Sequence, residues 1–157
     1  MKTESKESPK IEKLQGQTLI PCCIEQKIRT NDDQEETYYQ YDILKKPIDT
    51  NTTLTNLKSI IETELRTQND AYIYSGYKAG TQQSMQAIFA DPDTAEATKT
   101  LIKSVWSWIR TTGVLPYYYT KKLEIGNAGD TDVLLSICWD FSQFDATDPD
   151  VKLSDLI

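Results

Sequence analysis

The chain has 157 residues, of which 38% are hydrophobic and 26% are charged, and its net charge at pH 7 is −7. This length suits one domain, and the apolar fraction is too high for a disordered chain. Asp and Glu outnumber Lys and Arg by 24 to 17. Because nucleic acids and anionic membranes attract an excess of positive charge, the composition argues against both as ligands.

The two ends of the chain differ from its middle. Residues 1–15 are charged and contain Pro9, so we predict a disordered or extended arm there. The arm lacks the apolar segment of a secretory signal, and we expect the protein to stay in a cytosol or to be released by lysis. A single α+β domain is predicted over 16–141, followed by an extended tail over 142–157.

The first part of the domain has strand character. Two stretches, 17–29 and 37–43, are rich in β-branched or aromatic residues and flank the turn-prone cluster at 31–33. They predict a β-hairpin. Because Pro21 has no backbone N–H, it indicates an edge strand or a bulge.

The middle of the chain has helical periodicity. Leu54, Leu57, Ile61 and Leu65 predict an amphipathic helix over about 53–68. A shorter helix is predicted from Gln82. The third is predicted over about 92–111, because the pair Asp91-Pro92 is typical of a capping carboxylate followed by proline at the first helical position. Its apolar stripe consists of Leu101, Ile102, Val105, Trp106 and Ile109.

The last part of the domain again resembles strands, over about 114–125 and 132–141. The order of elements therefore predicts an α+β fold with flexible termini. Its antiparallel sheet has two N-terminal and two C-terminal strands, and two or three helices cover one face.

The residues for common catalytic and metal sites are missing. The chain has no histidine, which excludes Ser-His-Asp and Cys-His nucleophiles. Its glycines are scattered, so no phosphate loop is predicted. A three-cysteine metal site would require adjacent Cys22 and Cys23 to chelate one ion with Cys138. We therefore predict no catalytic residue, no cofactor and no metal, and three reduced, buried thiols.

The tyrosines are the most informative side chains. All nine lie in three groups along the chain, and exposed tyrosine is enriched at protein interfaces. Packing within the sheet is the alternative interpretation. The predicted partner-binding residues are Tyr38, Tyr39, Tyr41, Tyr117, Tyr118 and Tyr119, with Phe144, Val151 and Leu153 of the tail.

Three segments together resemble the small domains appended to bacteriophage tail-fibre and tail-tip proteins. They are the hairpin QKIRTNDDQEETYYQYDI, the spacer with Pro47 and Asp49, and the helix LTNLKSIIETEL, about a third of the chain. The resemblance ends there, because those domains continue into a helix rich in Ala and Gln, whereas this chain continues into a Trp-bearing helix.

The resemblance implies a non-enzymatic structural or accessory protein of the virion, in the tail, baseplate, neck or fibre. It would be made in the host bacterial cytoplasm and located in the virion. Its partners would be other virion proteins and copies of itself.

Two other functions stay open at this point. A phage-encoded inhibitor could bind a host nucleic-acid enzyme by imitating the charge of DNA, although the acidic residues are spread along the chain rather than concentrated. A carbohydrate-binding module could use Trp139 and the tyrosines, with Asp140 as the best candidate acid.

Overall fold

The computed structural model describes residues 2–76, 79–107, 109–110 and 113–144. The chain is an α+β protein with an antiparallel sheet followed by helices. The strands are β1 (Thr3–Ser5), β2 (Glu12–Leu14), β3 (Gln17–Asn31) and β4 (Gln34–Pro47). The helices are α1 (Leu54–Gly76), α2 (Ala79–Ala90), α3 (Glu96–Ser107), α4 (Val114–Asn127) and α5 (Thr131–Ser136), followed by a 3-10 turn at Phe141–Gln143.

The chain divides into two compact units. The first unit comprises Met1–Thr63 and Leu123–Trp139, and the second comprises Glu64–Lys122 and Asp140–Ile157. The first unit contains the sheet and α5, and the second contains α2 and α3.

The sheet of the first unit is built on the predicted hairpin. Its strand order is β1-β4-β3-β2, and every neighbouring pair is antiparallel. Asp32 and Asp33 connect β3 to β4 with φ angles of 48° and 62°. Two consecutive residues with positive φ form the turn whose twist matches that of the flanking strands, and Asp tolerates this conformation.

The irregularity that Pro21 predicts is present. β2 pairs with β3 only at Gln17–Leu19, so Pro21 lies beyond the paired part of that edge. The register between β3 and β4 shifts between Cys22 and Glu25, and Cys23 in this bulge has a φ of 52°.

The N-terminal segment, predicted as a disordered or extended arm, contains the two short strands β1 and β2. Thr3–Ser5 pair with Tyr39–Tyr41 of β4, and Glu12–Leu14 pair with β3. Few of these side chains are apolar, but the hairpin offers unpaired backbone groups along both of its edges. The pairing therefore depends on backbone hydrogen bonds, which cannot be predicted from the amino-acid composition of the segment.

The two predicted C-terminal strands are wrong, because both segments are helical. In α4, Val114, Tyr118 and Ile125 are buried at spacings of four and seven residues, which is a helical period. Pro116 lies in the first turn, where no intrahelical N–H bond is lost. In α5, the Asp130 carboxylate accepts the N–H of Val133 at 2.9 Å and caps the helix.

The three predicted helices are present with different bounds. With α4 and α5, the described residues form five α-helices, more than the two or three that the sequence predicts. α1 continues to Gly76. α3 begins at Glu96 and not at about residue 92. The Asp91 carboxylate accepts the N–H of Asp93 at 2.9 Å. The Asp91 carbonyl also accepts the N–H of Thr94 at 3.2 Å, so Asp91 stabilises a turn before the helix instead of capping it.

Both units have an apolar core. Fully buried side chains of the first unit are Ile20, Leu57, Ile61, Ile125 and Leu134, and those of the second unit are Leu65, Met85, Ile102, Val105 and Val114. The buried Thr18 hydroxyl donates to the carbonyl oxygens of Pro47 and Ile48, at 2.9 and 3.1 Å. Its polar group is thereby satisfied within the core.

The buried Asn69 of α1 weakens the second unit. Its Nδ2 donates to the Asp70 carboxylate at 3.1 Å, but no donor in the described part of the chain reaches its Oδ1. A buried acceptor without a partner costs about 1–3 kcal/mol. We expect Asn69→Leu to raise the free energy of unfolding by about 1–2 kcal/mol in urea denaturation. Gln68→Leu, at the exposed neighbouring position, should change it by less than about 0.5 kcal/mol, and a destabilised Asn69→Leu variant would refute this account.

Candidate functional site

The outer half of the β3–β4 hairpin is open to solvent. Every side chain from Gln26 to Glu35 is exposed. A two-stranded ribbon exposed on both faces contributes nothing to a core and is marginal in isolation. Its side chains are therefore available to bind something else.

The strand register assigns the side chains of this outer half to two faces. Directly opposed residues of an antiparallel pair lie on the same face. Gln26 opposes Tyr39 and Ile28 opposes Thr37, while Tyr41 lies two residues beyond Tyr39. Thr30 opposes Glu35 on the same face. We call these residues, Gln26, Ile28, Thr30, Glu35, Thr37, Tyr39 and Tyr41, the tyrosine face. The opposite, charged face carries Glu25, Lys27, Arg29, Glu36 and Tyr38.

Arg29 organises the outer part of the charged face. Its Nε donates to the Glu36 carboxylate at 2.9 Å, its Nη1 lies 3.4 Å from the Glu4 carboxylate, and its guanidinium lies 4.8 Å from the centre of the Tyr38 ring. Lys6 approaches Glu36 to 2.6 Å. Hydrogen bonding to Glu36 raises the pKa of Arg29, and hydrogen bonds from Lys6 and Arg29 lower the pKa of Glu36.

Glu25 forms a second group of ion pairs on the same face. Its carboxylate lies 3.3 Å from Lys2 Nζ and 3.2 Å from Lys27 Nζ. Partial burial alone would raise the pKa of Glu25, but hydrogen bonds from Lys27 and Lys2 outweigh it and lower the pKa. Glu25 and Glu36 are thus paired with cations and stay ionised to lower pH than usual.

The tyrosine face is partly apolar, and Glu35 beside the turn is its one charged side chain. Ile28 is 63% exposed, and Tyr39 and Tyr41 are half-buried beside Ser5 and Thr3 of β1. At the base of this face lies a cleft of about 210 Å³, lined by Pro9, Pro21, Tyr41 and Ile43 and also by the charged Glu7, Lys10 and Glu12. Between Glu35 and the cleft, the face offers aromatic and aliphatic surface that a partner could bury.

The open edge of β3 is less suitable for docking. β2 covers it only at Gln17–Leu19. Beyond that point it carries Pro21, the bulge and the charged Lys27 and Arg29, features that discourage an added strand. The tyrosine face of the hairpin is thus a better candidate for a docking surface than the open edge of β3.

The tyrosine group at 117–119, in the second unit, serves mainly for internal packing. The Tyr117 ring lies 5.6 Å from the Phe141 ring and 5.4 Å from the Phe144 ring, and its hydroxyl accepts the N–H of Asp140 at 3.0 Å. Tyr118 is buried, whereas Tyr119 is 60% exposed. Of this group, Tyr119 has the most accessible side chain.

The predicted partner-binding residues thus fall into separate places. Tyr39 and Tyr41 share the tyrosine face, whereas Tyr38 lies on the charged face. Tyr117 and Phe144 belong to the aromatic cluster of the second unit. Val151 and Leu153 lie outside the described residues.

The prediction of three reduced cysteines is wrong. Cys23 and Cys138 form a disulfide with a Cα–Cα distance of 4.3 Å. Cys22 is buried and is not part of this disulfide. The packing of α5 against β3 places Cys138 opposite the bulge. Sequence reasoning missed the pair because Cys23 reaches Cys138 from a positive-φ bulge, which no local pattern indicates. The Glu25 carboxylate lies beside the two sulfur atoms.

Comparison with known protein families, with curated proteins and with solved structures finds no match to this chain. Within the described residues, none of the helices combines the length and the apolar character needed to cross a membrane.

Proposed function

We propose that this chain is a non-enzymatic structural or accessory protein of a bacteriophage virion that assembles through the tyrosine face of its hairpin. One observation carries the docking proposal: the ion pairs of the outer hairpin gather on one face, whereas the other face has Glu35 as its one charged side chain. The virion setting is supported by the resemblance of the hairpin and α1 to domains of tail-fibre and tail-tip proteins.

The chemistry of the tyrosine face favours a protein partner. Tyr39, Tyr41 and Ile28 present ring and aliphatic surface, and aromatic side chains are enriched at the centre of protein interfaces. The surrounding Gln and Thr side chains provide hydrogen-bonding groups without the desolvation cost of a full charge.

A second copy of the chain is the partner that we propose for this face. Copies with a net charge of −7 repel one another, and this repulsion is smallest where the contacting surfaces carry few charges. A two-fold contact places the same face on both copies, which a face with a single carboxylate at its outer end tolerates. Other virion proteins would dock on the same face.

The two alternatives have less support. Imitation of DNA needs acidic groups without counter-charges, whereas Glu4, Glu25 and Glu36 are paired with Lys and Arg. For a carbohydrate module, Asp140 would have to reach a sugar, but its carboxylate accepts the N–H and the hydroxyl of Ser142 at 2.9 and 2.6 Å. Asp140 therefore caps the 3-10 turn.

The test is a charge placed on the tyrosine face. We expect the wild-type chain to associate in sedimentation equilibrium and Ile28→Asp to weaken association at least about tenfold, since burying a new unpaired carboxylate costs more than about 1.4 kcal/mol. Leu123→Asp is the matched control, because Leu123 of α4 is 64% exposed, much like Ile28 at 63%.

Both variants should fold like the parent, since their side chains are exposed. A wild-type chain that stays monomeric at all concentrations would contradict association of copies, and so would an Ile28→Asp variant that associates as the parent does.

A further inference from the structure

The bulge in β3 brings three metal-binding side chains together. The Sγ atoms of Cys23 and Cys138 and a carboxylate oxygen of Glu25 all lie within 4.8 Å of one another. The shift of register between Cys22 and Glu25 removes Cys23 from regular pairing with β4. This arrangement needs only one member of the adjacent pair Cys22 and Cys23, which removes the sequence argument against a metal site.

We propose that reduction of the Cys23–Cys138 disulfide creates a binding site for a thiophilic divalent cation such as Zn²⁺, with Cys23, Cys138 and Glu25 as its ligands. The site would be distinct from the tyrosine face and independent of the assembly role.

The chemistry of the switch balances. A dithiol or phosphine reductant supplies two electrons, the S–S bond breaks, and each sulfur takes up a proton. Binding of Zn²⁺ then forms two Zn–S bonds and releases both protons to solvent. The disulfide and the metal therefore exclude each other, because each needs the same two sulfur atoms.

The geometry suits a tetrahedral ion. Zn–S bonds of about 2.3 Å place two sulfurs about 3.8 Å apart, and carboxylate oxygens bind at about 2.0–2.2 Å. The three donor atoms are already within 4.8 Å of one another, so small side-chain rotations suffice. A fourth position would remain for water, as in other sites with three protein ligands.

The neighbouring charges favour an anionic complex. Zn²⁺ with two thiolates and one carboxylate carries one net negative charge. Lys2 and Lys27 lie 3.3 and 3.2 Å from the Glu25 carboxylate. Their positive charges would balance the charge of the complex without binding the ion. Cys138 and Glu25 are half-buried, so solvent has access to the site.

The first experiment compares the two redox states of the full chain. The protein is reduced with a phosphine, freed of reductant, and titrated with ZnCl₂ in a calorimeter. We expect one equivalent of Zn²⁺ to bind the reduced chain at least about 100-fold more tightly than the oxidised chain. Equal affinities for the two states would overturn the proposal.

The second experiment tests the ligands by substitution. Glu25→Gln should weaken Zn²⁺ binding by about 10–100-fold. Glu36→Gln is the matched control, because Glu36 is ion-paired on the same hairpin face but is not among the three clustered ligands, and its affinity should stay within about twofold of the parent. A Glu25→Gln variant with unchanged affinity would overturn the assignment.

The third experiment requires no variant and therefore does not depend on folding of a mutant. The reduced wild-type chain is alkylated with N-ethylmaleimide, with and without Zn²⁺, and the labelled peptides are identified by mass spectrometry. We expect Zn²⁺ to slow labelling of Cys23 and Cys138 at least about tenfold, and Mg²⁺, which prefers oxygen ligands, to have no effect. Labelling of both cysteines at the same rate with and without Zn²⁺ would refute the site.

Discussion

Cys138→Ala is expected to lower the free energy of unfolding by about 4–5 kcal/mol, because it removes the disulfide to Cys23. The two cysteines are 115 residues apart in sequence. In the chain-entropy description, a crosslink stabilises the folded state by restricting the unfolded chain, and the effect grows with the length of the closed loop. This loop encloses most of the chain, so its effect is near the upper end of the usual range.

The measurement is urea denaturation of the oxidised wild type and of Cys138→Ala. A chelator keeps metal from replacing the disulfide. Reductant should destabilise the wild type to the level of the variant and should leave the variant unchanged. If the oxidised wild type and Cys138→Ala unfold at the same urea concentration, the disulfide does not stabilise the chain.

Ile102→Ala in α3 is expected to cost about 2–5 kcal/mol, the usual cost of truncating a fully buried aliphatic side chain. Ile102 is 0% exposed, whereas the preceding Leu101 is 39% exposed. Leu101→Ala removes a side chain of the same volume from the same helix and should cost less than about 1.5 kcal/mol. Because Ala has a higher helix propensity than Leu or Ile, neither loss of stability can come from propensity, and the difference between the two variants reports the lost burial.

Thermal and urea unfolding of the two variants provides the measurement. The sequence alone placed Leu101 and Ile102 in one apolar stripe, and the structure distinguishes them by burial. Equal losses of stability in the two variants would show that both side chains are buried to the same extent and would contradict the packing of α3.

The parts of the fold that could be predicted from the sequence are those whose signal lies in a short stretch of residues. The apolar spacing of Leu57, Ile61 and Leu65 predicted α1, and all three side chains are fully buried. The turn-prone residues at 31–33 predicted the hairpin, and Asp32 and Asp33 form its turn. In both cases the signal lies within a few residues of the structure that it determines.

The unpredicted parts depend on context. Tyrosines 117–119 are typical of strands, but in α4 the burial of Val114, Tyr118 and Ile125 selects the helical period. Asp91 precedes proline like a helix cap, yet it stabilises a turn before α3 begins at Glu96. Composition and short motifs do not decide such cases, because tertiary burial outweighs intrinsic propensity.

The candidate site was predictable only in part. The sequence indicated that Tyr39 and Tyr41 share a face, since strand side chains alternate. The ion pairs of Lys2, Lys6 and Glu4 with the hairpin require β1 to pair with β4, and that pairing depends on backbone groups far away in sequence. The cluster of Cys23, Glu25 and Cys138 likewise depends on a bulge and on the packing of α5.

The proposed assembly depends most on the difference between the two faces of the hairpin. Two neighbouring residues allow this difference to be measured directly. Ile28 lies on the tyrosine face and Lys27 lies on the charged face, one residue apart in β3 and both exposed. A photo-crosslinking amino acid would replace each in turn, and the assembled protein would be irradiated and its products identified by mass spectrometry. The account predicts cross-links to a neighbouring chain from position 28 and none from position 27. Cross-links from position 27 alone, or equal yields from both positions, would contradict it.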